Sequence, residues 1–244
     1  MTQPNGQDSL PPALLVVAPT WRELGGLRSG RMGLALAAEV GMGQTAPITL
    51  AGLLDQAPPQ LILSLGFAGA AAGGIASGRV VVCTSFLSAL DKADAPIEAD
   101  IELAEMAKSQ MPRAITGSLV TVPAPLLTPA EKQLTGAETG AVVVDMEGYS
   151  MAKVAQEHGV PFLALRAVLD PVGRRLPSFV ADIITDQGKN NEWRHTLRAL
   201  FKRPYQLPNF ILLGLDYRRA KMSLYQTLLD IRPGLAAHLE EREE

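Results

Sequence analysis

The chain contains a single cysteine, Cys83, in 244 residues, so no intramolecular disulfide can form and a reducing, cytoplasmic setting is expected. Cys83 lies in the apolar run RVVVCTSF and reads as core. Histidine is scarce as well. His158, His195 and His238 are far apart and show neither HxH nor HExxH spacing, so no metal site is expected. The opening MTQPNGQDSLPPA lacks the cationic start and apolar run of a signal peptide, and residues 1–12 are expected to form a loose tail. Net charge is only -3, which gives no reason to expect a nucleic-acid partner. From Leu61 to Gly78 charge is missing altogether for 18 positions, the bare length of a membrane span. Five of those residues are glycine and the first five read LILSL, so a strand, a Gly-rich loop and a following strand are expected instead.

What is present points to a folded enzyme-sized domain. A hydrophobic content of 47% against 19% charge excludes a disordered chain, and the length suffices for one large α/β domain. The charge is unevenly spread. Residues 1–188 carry net -6, residues 189–232 net +6 and the last twelve residues net -3. The basic stretch holds two helical patterns, one over Asn190 to Lys202 and one beginning near Pro208, with Trp193, Phe201, Tyr205, Phe210 and Tyr217 among the basic side chains. A main domain over residues 13–185 and a helical extension over 186–244 are expected. The extension would pack on the domain or lie at a lipid interface, giving a peripheral membrane contact through 189–232.

The chain is organised around VVVDMEGYSMAKVAQEHGVPFLALRAVLD, residues 142–170. Val142 to Val144 read as a buried strand, Gly148 to Glu157 as a helix stopped by Gly159, and Pro161 to Asp170 as a second strand. In open α/β sheets ligands sit at the carboxyl ends of strands, where DMEG and LD fall. Glu147 and Asp170 are therefore site candidates, while Asp145 reads as an acid that suits a helix N-terminus.

Earlier segments fit the same picture. Leu14 to Ala18 read as a central strand followed by TWRELGGL, and residues 34–40 as another strand followed by GMGQTAP. Gly41, Gly43 and Ala46 match a GxGxxA dinucleotide fingerprint, but the acid that should close the next strand is absent from LILSLG, so no NAD is expected. A helix is expected from about Asp100 to Gln110. Thr128, Pro129 and Glu131 supply the cap, first-turn proline and early acid of another.

The segment VDMEGYSMAKVAQEHGVPFLALRAVLD resembles the VEMEAxxxAxVxxxxxVPFxxxRAISD segment of the nucleoside phosphorylase and methylthioadenosine/adenosylhomocysteine nucleosidase superfamily. The resemblance spans roughly residues 13–172. It implies a three-layer α/β/α sandwich on a central mixed, twisted sheet, and cleavage of a purine N-glycosidic bond in a homo-oligomer. It also implies that Met146 packs on the sugar, Glu147 accepts hydrogen bonds from ribose hydroxyls and Asp170 protonates the leaving purine. Glu23, aligned with the last Glu of the family's AMEEEV loop, would position the attacking water. The GMG loop with Gly41 and Gly43, and GFAGA with Gly66, Phe67, Ala68 and Gly69, would bring backbone to the ligand, GFAGA as a loop at the floor of the site.

Departures from the family pattern are specific. Phe67 stands where the family has Ser or Thr, Ser64 where phosphorylases carry Arg, Leu169 where the family has Ser, and Pro125 where an aromatic stacks on the purine. Water or phosphate could be the nucleophile, and no other cofactor is implied. The DPVGRRLP loop and the KRPYQLPNFILLGL tail are similar to the hopanoid-associated branch, which implies adenosylhopane as a lipid-linked nucleoside substrate. Alternatives are a nucleosidase for methylthioadenosine, adenosylhomocysteine or futalosine-like nucleosides, and a non-catalytic membrane-peripheral binding protein of the same fold.

Overall fold

The structure, a computed structural model, describes residues 13–24, 30–32, 35–91, 93–177 and 207–241. Short runs of Val, Leu, Ile and Ala form strands β1 (Leu14–Ala18), β2 (Gly30–Met32), β3 (Ala35–Glu39), β4 (Leu61–Ala70), β5 (Val80–Ser88), β6 (Ile97–Glu98), β7 (Ile115–Thr121), β8 (Val143–Asp145) and β9 (Phe162–Asp170). All nine belong to one mixed sheet. Its helices are α1 (Thr45–Gln56), α2 (Ile101–Gln110), α3 (Pro129–Thr139), α4 (Gly148–Glu157) and α5 (Leu207–Glu241), with a 3-10 turn at Trp21–Glu23.

The period of two along each strand sorts side chains into two cores. Leu15, Val17, Ile62 and Ala164 face α1 and α4, whereas Val16, Leu63, Leu165 and Ala167 face α2 and α5. Helices therefore cover both faces, as the three-layer expectation requires. Ala220, Leu224, Leu228, Ile231 and Leu235 of α5 are buried in the second core, so this part of the C-terminal segment packs into the domain. The helix expected over 190–202 lies outside the described residues.

Two expectations are corrected by the sheet. The sequence predicts a β-α-β unit of an open sheet around α4, but β8 and β9 do not pair. Instead β4 pairs parallel with β9 and antiparallel with β8, and the ring closes through β5 and β7. Gly69 is opposite both Val144 and Asp170, which brings the carboxyl ends of β8 and β9 to one place. The second correction is that Gly66 to Gly69 are not in a loop. β4 runs through them to Ala70 with one register shift after Ala68. Close approach accounts for glycine at position 69, where a Cβ would meet Val144 at 3.2 Å and Asp170 Oδ1 at 3.3 Å, whereas one at Gly66 would only touch the Arg166 guanidinium at 3.4 Å.

Helix ends follow the local chemistry. Asp100 caps α2 by accepting from the Glu102 and Leu103 N–H groups. Thr128 and Glu131 form a capping box on α3 with Pro129 in the first turn. His158 closes α4, with Nδ1 2.8 Å from the Val154 carbonyl oxygen. No described helix is long and apolar enough to cross a membrane.

Candidate active site

A cavity of about 310 Å³ opens where β4, β8 and β9 converge. Its wall takes Glu23 from the 3-10 turn, Phe67, Ala68 and Gly69 from β4, Met146 and Glu147 from the β8–α4 junction, and Leu169 and Asp170 from the end of β9. Val122, Pro125, Leu126 and Leu176 make much of the remainder apolar, and Tyr217 of α5 closes one side.

Glu23 is buried, and backbone hydrogen bonding explains why it stays in place. Its Oε2 accepts from the Thr20 N–H at 3.1 Å and the Thr20 hydroxyl at 2.8 Å. Its Oε1 accepts from the Phe67 N–H at 3.0 Å. Burial raises its pKa above the usual carboxylate range, and these three donors oppose that rise. The Phe67 amide is thus already engaged by a carboxylate. That amide is therefore not available to an anion.

Glu147 follows a junction built by Asp145. The Asp145 carboxylate accepts from the Thr121 hydroxyl at 2.8 Å, the Glu147 and Gly148 N–H groups at 3.2 and 3.0 Å, and Arg166 Nε at 3.0 Å. Asp145 lies against the cavity, but these bonds commit it to shaping the turn that presents Glu147. Glu147 Oε1 accepts the Gly43 N–H at 2.6 Å. Gly43 and Gly41 have φ of 57° and 85°, a left-handed region that suits glycine, so the GMG loop can direct its amide at the carboxyl. Burial first, and then the Asp145 charge, push Glu147 up to about 8.

Asp170 is buried with Lys132 of α3 against Oδ2. Burial raises its pKa to about 6, while the Lys132 ammonium draws it down. A carboxyl that titrates close to neutrality can be present as an acid and can give up its proton, which is what general acid catalysis asks.

The structure thus brings Glu23, Met146, Glu147, Asp170, Phe67, Ala68 and Gly69 to one cavity. Gly43 reaches it through its bond to Glu147. Gly41 and Gly66 are not among the lining residues: the space at Gly66 is taken by Arg166, and Gly41 packs on Thr45. Lys132 and Tyr217 belong to no motif, and Arg166 stands in the RAVLD match without an assigned role. In the sequence Lys132 is one polar residue of the polar helix PAEKQLTGAET. Arg166 Nη1 reaches the Ser64 hydroxyl at 3.1 Å and Tyr217 stands edge-on to Phe67 at 5.5 Å between centroids, contacts that form only when the strands and α5 meet. Among the described residues no group of His, Cys, Asp and Glu could hold a metal ion.

Comparison with known proteins agrees with this geometry. Futalosine hydrolase from Streptomyces coelicolor is 34% identical over 171 residues, 57% of this chain and 68% of that one. The solved structure of futalosine hydrolase from Helicobacter pylori superposes with a TM-score of 0.67 at 15% identity, covering 90% of this chain and 97% of that one. The methylthioadenosine/adenosylhomocysteine nucleosidase of Colwellia psychrerythraea in complex with adenine gives 0.58 at 18% identity, covering 66% and 83%. The two structural likenesses speak for the fold. The model of the phosphorylase superfamily matches residues 24–201, nearly three quarters of the sequence: the chain belongs to that superfamily and is an enzyme of its nucleosidase and phosphorylase kind.

Proposed function

We propose that the protein releases adenine from adenosylhopane, a nucleoside attached to a bulky hydrocarbon, by hydrolysis of the N-glycosidic bond. The observation that carries this reading is the set of three buried carboxylates, Glu23, Glu147 and Asp170, around one largely apolar cavity. Breaking the bond requires a proton for the departing purine and negative charge near an oxocarbenium-like sugar. Asp170 donates the proton to the purine. Glu147 accepts hydrogen bonds from the ribose hydroxyls, and the developing cation beside it favours its ionised form. Glu23, fixed by Thr20 and Phe67, orients water towards the anomeric carbon.

Water is favoured over phosphate by the surroundings of Glu23. A phosphate there would face a carboxylate, and the Phe67 amide that could hold it is already donated. Lys132 is committed to Asp170, Arg166 pairs with Asp145 and does not line the cavity, and Arg22 at the cavity wall is exposed. The hydrocarbon is supported by Phe67, which stands where the family has a polar anchor, and by Tyr217, which adds aromatic surface beside it. A second reading, a futalosine-like nucleoside as substrate, is favoured by the identity with the Streptomyces coelicolor enzyme.

Incubation with adenosylhopane, adenosine, methylthioadenosine and futalosine, each with and without phosphate, followed by product masses, tests both. The expected result is free base and free sugar at a rate independent of phosphate, fastest with adenosylhopane. Exclusive turnover of futalosine moves the assignment to the second reading. A sugar phosphate formed only when phosphate is present overturns hydrolysis.

A further inference from the structure

We propose that Lys132 is a positioning residue for the reaction: its ammonium fixes which oxygen of Asp170 faces the purine and sets the pH range over which Asp170 holds a proton to give. This rests on the reading of Asp170 as the proton donor.

The observations begin with α3 itself. The helix PAEKQLTGAET has one buried residue, and it is Lys132, at 1% exposure. An apolar seam normally docks a helix, and α3 has none. Placing a lone cation there is costly unless it is paired and hydrogen-bonded. Each of the three ammonium hydrogens has an acceptor: Asp170 Oδ2, the Arg174 carbonyl at 2.8 Å and the Pro171 carbonyl at 3.4 Å. Lys132 lines the cavity but has no donor left for a ligand, so it acts through Asp170. Among the described residues none donates to Oδ1, which leaves that oxygen for the purine.

Electrostatics give the direction. Facing Asp170 are Lys132 from α3, Arg174 from the segment after β9, and Asp216 from α5, itself paired with Arg174 at 3.0 Å. Burial and Asp216 favour the protonated carboxyl, while Lys132 and Arg174 favour the ionised one. Lys132 is the larger of the two cationic influences. Without it the carboxyl would hold its proton to higher pH and would be free to rotate.

The test is the pH dependence of kcat/KM for purine release by Lys132→Met. Activity that needs protonated Asp170 falls as pH rises through its pKa. Loss of the cation is expected to move this alkaline limb up by at least about one pH unit, with kcat at the optimum falling roughly tenfold as orientation is lost. Lys132→Arg, which keeps the charge, is expected to hold the limb within about half a unit. A folded Lys132→Met enzyme with the limb unmoved overturns the proposal.

Asp170→Asn separates the two ideas. It is expected to lose about 10²- to 10⁴-fold in turnover and to abolish the limb. If it stays active with the limb intact, the reading of Asp170 fails. If it behaves as expected while Lys132→Met leaves the limb in place, only the role of Lys132 fails. Should Lys132→Met not fold, the carboxyl infrared signal of the wild-type enzyme minus that of Asp170→Asn gives the same answer. Titration near 6 supports the pairing, and titration above 8 overturns it.

Discussion

Four buried carboxylates line the cavity, and beside Asp145, which holds the turn, the donors around Glu23, Glu147 and Asp170 bias when each is charged. Glu23 has three donors, Asp170 has a cation, and Glu147 has a single N–H while standing beside Asp145. The ionised form of Glu147 is therefore poorly supported by its surroundings. Its folded pKa, about 8, lies above the ordinary 4.5, so folding favours the protonated form. The unfolded chain releases that proton first as pH rises, so stability declines between about 4.5 and about 8 and stays low beyond. Glu147→Gln, which can still accept from Gly43, is expected to melt higher than wild type at pH 9, by about 2–4 °C for each kcal/mol regained. Near pH 5 the two should melt alike. The same change should cost about 1.5–3 kcal/mol in riboside cleavage and narrow the preference over 2′-deoxyribosides. Melting curves at both pH values, with kinetics on paired sugars, check this. A wild-type protein more stable than the variant at pH 9 would falsify the assignment. Glu147 and Asp170 were legible in the sequence because a short acidic motif marks each strand end. Arg166 and Asp145 left a fainter signal: two opposite charges inside otherwise apolar strands must meet somewhere. Lys132 left none, since lysine on a polar helix ordinarily stays in water.

Among the elements, the helices and most strands could be read from periodicity and caps, and the errors cluster where glycine replaces side chains. GFAGA reads as a loop because glycine weakens strands, yet at Gly69 the missing Cβ makes room for Val144 and Asp170. The order in which strands pair was also hidden. Nothing local says that β4 lies between β8 and β9 or that the sheet closes. Gly136 shows how such a contact can govern the site. It lies one helical turn after Lys132, and a Cβ there would sit 2.3 Å from the Ala71 carbonyl oxygen. That neighbour is backbone and cannot swing aside. Gly136→Ala is expected to destabilise the protein by about 1–3 kcal/mol through overpacking, despite alanine's better helix propensity. It should also push α3 outward, carry Lys132 from Asp170 and lower turnover. An exposed control, Ala137→Gly, should cost only about 1 kcal/mol by propensity and leave turnover in place. Denaturant melts and kcat of both variants decide it: a stabilised, fully active Gly136→Ala enzyme would mean that α3 is free to shift without consequence.

For the whole molecule, α5 has two apolar faces. One is buried through Ala220, Leu224 and Ile231. The other carries Ile211, Leu215, Met222, Tyr225 and Leu229 at helical spacing, all exposed, with Met222 at 70%. Arg218, Arg219 and Lys221 accompany this stripe. The same helix supplies Tyr217 to the cavity, and Trp21, beside the cavity residue Arg22, is 60% exposed. A lipid-linked substrate has to leave a bilayer to reach such a cavity, and a basic, apolar helix surface suits an anionic membrane. Removing the chain after Thr185 would not test this, because α5 completes the second core. Leu215→Glu with Met222→Glu changes only the outer face. Wild-type protein is expected to pellet with vesicles of anionic phospholipid at low salt and to be released at high salt, since each basic side chain contributes on the order of 1 kcal/mol that salt screens. The double variant should remain in the supernatant, keep its melting temperature and cleave a soluble nucleoside at the wild-type rate. If wild type also stays in the supernatant while light scattering shows it larger than one chain and the variant smaller, the stripe joins copies of this protein rather than touching lipid.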